Sequence, residues 1–145
     1  MSEPTGKNPR LIYRLNAARH CLMKSLDAQC RKELDISVIQ LTALMVLGKQ
    51  NRCRMKDLAA TLMLDKSAVT GLAKRMEAGG LITKSRGTED SRATYLEITE
   101  RGKEKLAQGK PYLKTINARL TQGFTDEEIK TVTRFLDQIT QNFSV

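Results

Sequence analysis

The chain has 145 residues, with 25 lysines and arginines against 16 aspartates and glutamates, a formal charge of +9 at pH 7. Hydrophobic residues make up 40% and charged residues 28%, close to globular norms, which excludes wholesale disorder. A chain of this length buries about two-thirds of its unfolded surface, so a core needs no disulfide or metal, and with 4% aromatics and no tryptophan that core is aliphatic and methionine-filled.

The basic excess favours a polyanionic partner, nucleic acid above all. No apolar run reaches the roughly 18 residues of a membrane span. The polar residues 1–10 lack the apolar stretch of a signal peptide, which points to the reducing cytoplasm. Cys21, Cys30 and Cys53 form no C-x-x-C pair and His20 is the single histidine, a poor basis for a disulfide framework, a thiolate zinc site or Cys-His catalysis. There is no G-x-S-x-G, no P-loop and no G-x-G-x-x-G with an acidic partner, so neither an enzyme activity nor a cofactor is expected.

Residues 1–8 read as a flexible N-terminus. A helix is predicted over 9–33, because Leu11, Leu15, Ala18, Leu22, Leu26 and Cys30 recur at steps of three and four. At roughly 35–40 Å it is long for so small a domain and is expected to pack against something outside its own globule. Ser37 and Gln40 fit a capping box, with Ile36 and Leu41 as the hydrophobic staple, ahead of a buried helix over 38–47. Residues 48–52 form the exit loop. Residues 9–49 thus comprise a dimerisation helix and a buried support helix.

Two short helices follow, over 56–63 and 66–78. Asp65 caps the second, Val69, Leu72, Ala73 and Met76 line its inner face, and Gly79-Gly80 supplies a left-handed stop. Such a pair, the second helix basic on its outer face, reads as a helix-turn-helix. A hairpin is predicted from 81–86 and 93–98 around a polar loop, and a hairpin in this place is a wing. Residues 50–98 are therefore the candidate DNA-binding domain. From 99 the chain is helical again, with Gly109 and Pro111 expected to kink or interrupt the first helix. Thr125 to Glu128 forms a second capping box, stapled by Phe124 and Ile129, before a stripe of Ile129, Val132, Leu136, Ile139 and Phe143. The expected fold is mainly α with a small β-hairpin wing: a winged helix-turn-helix plus a helical dimerisation region completed by residues 99–145.

Within residues 55–106, the run KDLAATLMLDKSAVTGLAKRMEAGGLITKSRGTEDSRATYLEITERGKEKL resembles the MarR family of winged-helix regulators. Asp90-Ser91-Arg92 matches the D-x-R wing signature, and Glu97-Ile98-Thr99-Glu100-Arg101-Gly102 stands where the family has L-T-x-x-G, with Ile for Leu. The resemblance implies a homodimer whose first and last helices interlock, and a winged helix on each subunit that binds palindromic operator DNA. It also implies a repressor relieved by a small aromatic or anionic effector.

The residues themselves support a reading of DNA. A helix with Val69, Leu72, Ala73 and Met76 inward presents Lys66, Ser67, Thr70, Gly71 and Lys74 outward. Lys66 and Ser67 sit at its N-terminus, where free amides favour a phosphate. Ser67 and Thr70 suit base edges, Lys74 a phosphate or a guanine edge, and Gly71 leaves room for close approach. In the wing, Asp90 is expected to accept the guanidinium fork of Arg92 and hold it outward for the minor groove. Lys84 and Arg86 alternate on one strand face and are expected to track phosphates.

Cys21 and Cys30, on or beside the apolar stripe of the first helix, read as buried packing. Cys53, between Arg52 and Arg54, has surroundings that favour a thiolate. His20 reads as a polar residue near the dimer or ligand cleft. An RNA reader would display more stacking aromatics than Tyr95 alone, and the basic residues are too spread for a membrane helix. The alternative function is a winged-helix protein–protein module in which Lys66, Lys74 and Arg92 bind an acidic partner.

Overall fold

The computed structural model describes residues 10–50 and 52–144. The segment expected to be flexible, 1–8, lies outside the described residues, as do Pro9, Asn51 in the exit loop and Val145. Two compact units divide the chain, Met1–Gly109 and Lys110–Val145.

In the first unit, α1 (Leu11–Leu34) buries Leu26, Cys30 and Leu34, all in its C-terminal part. At its start Leu11, Ile12 and Tyr13 are exposed. The expected stripe is thus only partly covered: Leu15 and Leu22 are half-buried and Ala18 is exposed. The capping box opens α2 (Val38–Leu47) as expected. The Gln40 amide donates to Ser37 Oγ at 3.2 Å and the Ser37 amide to Gln40 Oε1 at 3.0 Å. No residue of α2 is exposed, and Val38, Leu41, Ala43, Leu44 and Leu47 form the centre of the core.

Asp27 ties α1 to α2. Its Oδ2 accepts from Arg31 Nε at 2.8 Å and its Oδ1 from the Val38 amide at 3.0 Å, one of the orphan donors of the α2 N-terminus. The Arg31 bond first, and the Val38 amide second, hold the Asp27 carboxyl below the ordinary aspartate value of 3.8. A carboxyl lowered by folding contributes stability that is complete above its unfolded pKa and is lost as pH falls through the folded one. Asp27→Ala is therefore expected to cost about 1–2 kcal/mol at pH 7, in the range of a lost helix cap. Chemical denaturation at pH 7 and pH 3 checks this: the gap between variant and wild type should narrow in acid, and a constant gap would count against it.

The strand β1 (Cys53–Arg54) was not expected, and it makes the sheet three-stranded, in the order β1-β3-β2. The wing strands are β2 (Ile82–Arg86) and β3 (Thr94–Ile98), paired antiparallel with Lys84 opposite Leu96 and Ser85 opposite Tyr95. β1 pairs the other edge of β3, placing Cys53 opposite Leu96 and Arg54 opposite Tyr95. Side chains alternate across a strand, so Cys53, Ile82, Lys84 and Leu96 share the inner face and Arg54, Ser85, Tyr95 and Glu97 the outer. Cys53, Ile82 and Leu96 are buried accordingly.

Between β1 and β2 lie α3 (Met55–Leu62) and α4 (Lys66–Ala78). Asp65 Oδ1 accepts the Ala68 amide at 2.7 Å, the expected cap, and Gly80 takes the left-handed stop at φ 73°. Val69, Leu72, Ala73 and Met76 are all buried.

α5 (Glu100–Thr121) begins on Thr99, whose hydroxyl donates to the Gly80 carbonyl at 2.6 Å and accepts the Gly102 amide at 3.1 Å. Lys105 Nζ donates to the Leu34 carbonyl at 2.6 Å, closing the end of α1. Gly102 is buried, and a Cβ there would strike the Leu81 carbonyl oxygen and come within 2.7 Å of Ile98 Cγ1. The interruption expected around Gly109 and Pro111 does not occur, because helix runs unbroken through Pro111. A proline removes one ladder hydrogen bond, and the bonds on either side still carry the helix.

In the second unit, the end of α5 is followed by α6 (Asp126–Asn142), opened by the Thr125–Glu128 capping box. No residue of α6 is buried, and Val132, Leu136 and Phe143 are exposed along its stripe.

Candidate nucleic-acid interface

α4 turns its apolar side to the core and leaves Lys66, Ser67, Thr70 and Lys74 exposed, with Gly71 half-buried. Four of the five residues expected outward are exposed, and Ala68, Arg75 and Glu77 are exposed beside them. Thr70 Oγ1 donates back to the Lys66 carbonyl at 2.7 Å, so its lone pairs, rather than its proton, are free for a base edge. A Cβ at Gly71 would meet only Arg75 Nη1, at 3.2 Å. Nothing in the packing of the described residues requires glycine there. The Asp65 cap qualifies the phosphate reading, because its carboxylate already takes the Ala68 amide and leaves Lys66 and Ser67 to supply backbone donors.

The wing loop folds back on itself. The Gly87 amide donates to the Ala93 carbonyl at 3.0 Å, and the Ala93 amide to the Asp90 carbonyl at 3.1 Å. Asp90 was expected to hold the Arg92 guanidinium, and the structure corrects this. Asp90 Oδ1 accepts the Arg92 backbone amide at 3.0 Å, and Oδ2 faces Arg54 Nη2 at 3.7 Å. An Asp two residues before a backbone N–H closes a local turn more readily than it reaches the long side chain of that residue. Arg92 itself is exposed, and among the described residues no ion pair holds its guanidinium.

Lys84 also departs from expectation. Its Nζ lies 3.7 Å from Glu77 Oε1 and its side chain is 27% exposed, because the register puts it on the inner face, toward α4. To reach a phosphate it must first leave Glu77. Arg86, at the end of β2, is exposed.

Between α4 and the wing runs a crevice of about 490 Å³, lined by Arg54, Lys56, Lys66, Thr70, Asp90 and Arg92 among others. Arg54 and Lys56 join the basic face here, and the sequence reading had not singled them out. β1 is what brings Arg54 beside the wing, and a two-residue strand has no periodicity to reveal it.

The cysteines are redistributed. Cys30 is buried as expected and Cys53 is buried too, but Cys21, expected to be buried, is exposed, since burial of α1 begins only at Leu26. Burial pushes the Cys53 thiol up, with Asp57 adding to the effect, so the thiolate-favouring surroundings expected from Arg52 and Arg54 are not realised. The two arginines point to the outer face while Cys53 points inward. Burial likewise raises Cys30, helped by Asp27 and Glu33. Among the described residues there is no His/Cys/Asp/Glu cluster suited to a metal and no helix long and apolar enough to cross a membrane.

Residues 36–94 match the family model described as "MarR family". The chain is 30% identical over 122 residues to the transcriptional regulator ZitR of Lactococcus lactis, covering 81% of this chain and 83% of that one. It is 38% identical over 70 residues to the organic hydroperoxide resistance transcriptional regulator of Bacillus subtilis, spanning 48% of each. The fold superposes on Sco3205 of Streptomyces coelicolor, a MarR family regulator solved in complex with DNA, with a TM-score of 0.88 at 20% identity, covering 100% of this chain and 94% of that one. These relatives are regulators of transcription rather than enzymes, and with a winged helix-turn-helix matched both in sequence and in shape, the chain belongs to the MarR family of transcriptional regulators.

Proposed function

We propose that this regulator is a homodimeric repressor that binds a palindromic operator and is relieved by a small aromatic or anionic effector. The observation that carries the DNA reading is the pairing of two exposed basic elements across one crevice. Lys66 and Thr70 of α4 line one side, with Ser67 and Lys74 exposed on the same helix, and the wing lines the other through Asp90 and Arg92, whose guanidinium has no ion pair among the described residues. α4 is the reading helix for the major groove, with Gly71 permitting close approach, and Arg92 enters the neighbouring minor groove, where potential is most negative. Asp90 holds the wing turn, Arg86 contacts phosphate, and Lys84 does so only after release from Glu77.

The dimer reading rests on apolar surface. Val132 and Leu136 are 47% and 45% exposed and Phe143 76%, and Ile12 at the start of α1 is 88% exposed. A second copy of the chain related by a two-fold axis would cover such stripes and match a palindrome. Residues 9–49 and 99–145 would then supply the interface and residues 50–98 the DNA contacts. Relief by an effector requires that it bind more tightly to the spacing that does not fit DNA.

Selection of bound duplexes from a random pool tests the reading. Enrichment of a palindrome with half-sites about one helical turn apart is expected. Sedimentation at micromolar concentration should give twice the 16.3 kDa chain mass. A pool that stays random would leave the acidic-protein alternative, and a 16.3 kDa species that retains tight operator binding would refute the dimer.

A further inference from the structure

Arg52 lies outside α4 and outside the wing loop, and it touches the wing at four points. Its guanidinium carbon sits 3.9 Å from the centroid of the Tyr95 ring. Its Nη2 donates to Ser85 Oγ and to the Arg86 carbonyl, both at 3.3 Å, and its Nε lies 3.9 Å from Glu97 Oε1. One side chain therefore spans from the segment before β1 to both β3 and the end of β2. Tyr95 carries the connection on toward the wing loop. A Cβ at Gly87 would come within 3.0 Å of Tyr95 Cε2, so the ring closes over the root of the loop. Arg54, 5.9 Å from the same ring, reaches Asp90, the residue that turns the loop toward Arg92.

We infer that Arg52 is a positioning residue for DNA recognition: stacked on Tyr95 and bonded to the end of β2, it fixes the wing root so that Arg92 is presented in one place. This rests on the DNA reading above. The guanidinium is occupied by the ring and by acceptors of the sheet, so it is not free to act as a phosphate ligand. A planar fork that stacks and donates at once is a property of arginine that lysine lacks. β1 pairs β3 at two positions only, Leu96 and Tyr95, so towards its loop the wing is a two-stranded ribbon, which is marginal by itself, and a side-chain bracket at its root changes how often the wing is in place. Affinity falls in proportion to the fraction of molecules whose wing is competent.

The test compares wild type, Arg52→Lys and Arg52→Ala on the duplex that wild type selects from a random pool, across a series of salt concentrations. Both variants are expected to lose about tenfold in affinity, the effect of a wing in place about one-tenth as often, with the salt slope unchanged. Tyr95→Phe, which keeps the ring, should bind within about twofold of wild type. Full binding by Arg52→Lys would show that charge alone matters and overturn the inference. So would a salt slope lowered by about 1, the mark of a lost phosphate contact. Amide exchange of free protein reads the bracket without DNA. The Gly87 and Ala93 amides, bonded within the wing loop, should exchange about tenfold faster in both Arg52 variants. Unchanged exchange overturns the bracket, whereas a wild type that selects no duplex overturns the DNA reading and leaves the exchange result standing.

Discussion

Gly102→Ala is expected to destabilise the protein by about 3 kcal/mol or more, the upper part of the range for overpacking. The new methyl group would strike the Leu81 carbonyl oxygen, which is backbone and already accepts the Thr99 amide at 3.0 Å. It would also press on Ile98 Cγ1 at 2.7 Å and on Leu44 Cδ2 at 3.3 Å, both on elements of the central core. No side-chain rotation relieves a clash with a carbonyl, so the start of α5 must lift from Leu81 and the Thr99 bonds to Gly80 and Gly102 must stretch. Thermal unfolding should show a midpoint lowered by roughly 10 °C. Gly71→Ala is the contrast, since its methyl group meets only the end of the flexible Arg75 side chain. Exchanging glycine for alanine inside a helix gains roughly 0.5–1 kcal/mol where space allows. A Gly102→Ala protein that melts like wild type would mean that α5 does not approach Leu81 this closely.

Arg92→Ala is expected to weaken binding to the selected operator about a hundredfold, equivalent to about 2.7 kcal/mol. Among the described residues the Arg92 guanidinium has no partner, so the loss should appear in DNA binding and not in the melting temperature. Arg92→Lys should recover little, because the narrow minor groove favours a weakly hydrated, planar guanidinium over an ammonium. Asp90→Ala should cost less, about tenfold. It removes the acceptor for the Arg92 amide and the partner of Arg54 but leaves the reading group in place. The Arg54 ion pair is exposed on both sides and contributes little by itself, so most of that loss comes from the opened turn. Binding titrations at physiological salt decide the matter: wild-type affinity in Arg92→Ala would mean that the wing does not enter a groove.

The helix starts at Ser37, Asp65 and Thr125 were legible in the amino-acid sequence, whereas the run of α5 through Pro111 to Thr121 was not. Each of the caps at Ser37, Asp65 and Thr125 is a contact between residues three apart, and such a contact needs nothing but its own neighbours to form. The inner face of α4 was legible for the same reason, because Val69, Leu72, Ala73 and Met76 repeat with the helix period whatever they pack against. The outward set of Lys66, Ser67, Thr70 and Lys74 followed as its complement.

The sheet was not legible in this way. Which face a strand residue takes depends on the register of pairing, and register is decided between segments distant in sequence. β1 has two residues and no period of its own, so its pairing with β3 became visible only in the fold, along with Arg54 at the crevice and Cys53 in the core. The same register turned Lys84 toward Glu77. Asp90 found Arg54 rather than the Arg92 guanidinium, and Arg52 found Tyr95, because β1 and the residue before it bring both arginines to the outer face of the sheet. Local periodicity and capping chemistry thus determined the helices and the reading face of α4. The arrangement of the wing was decided by tertiary structure, since its contacts exist only after three separate stretches of chain have been laid side by side.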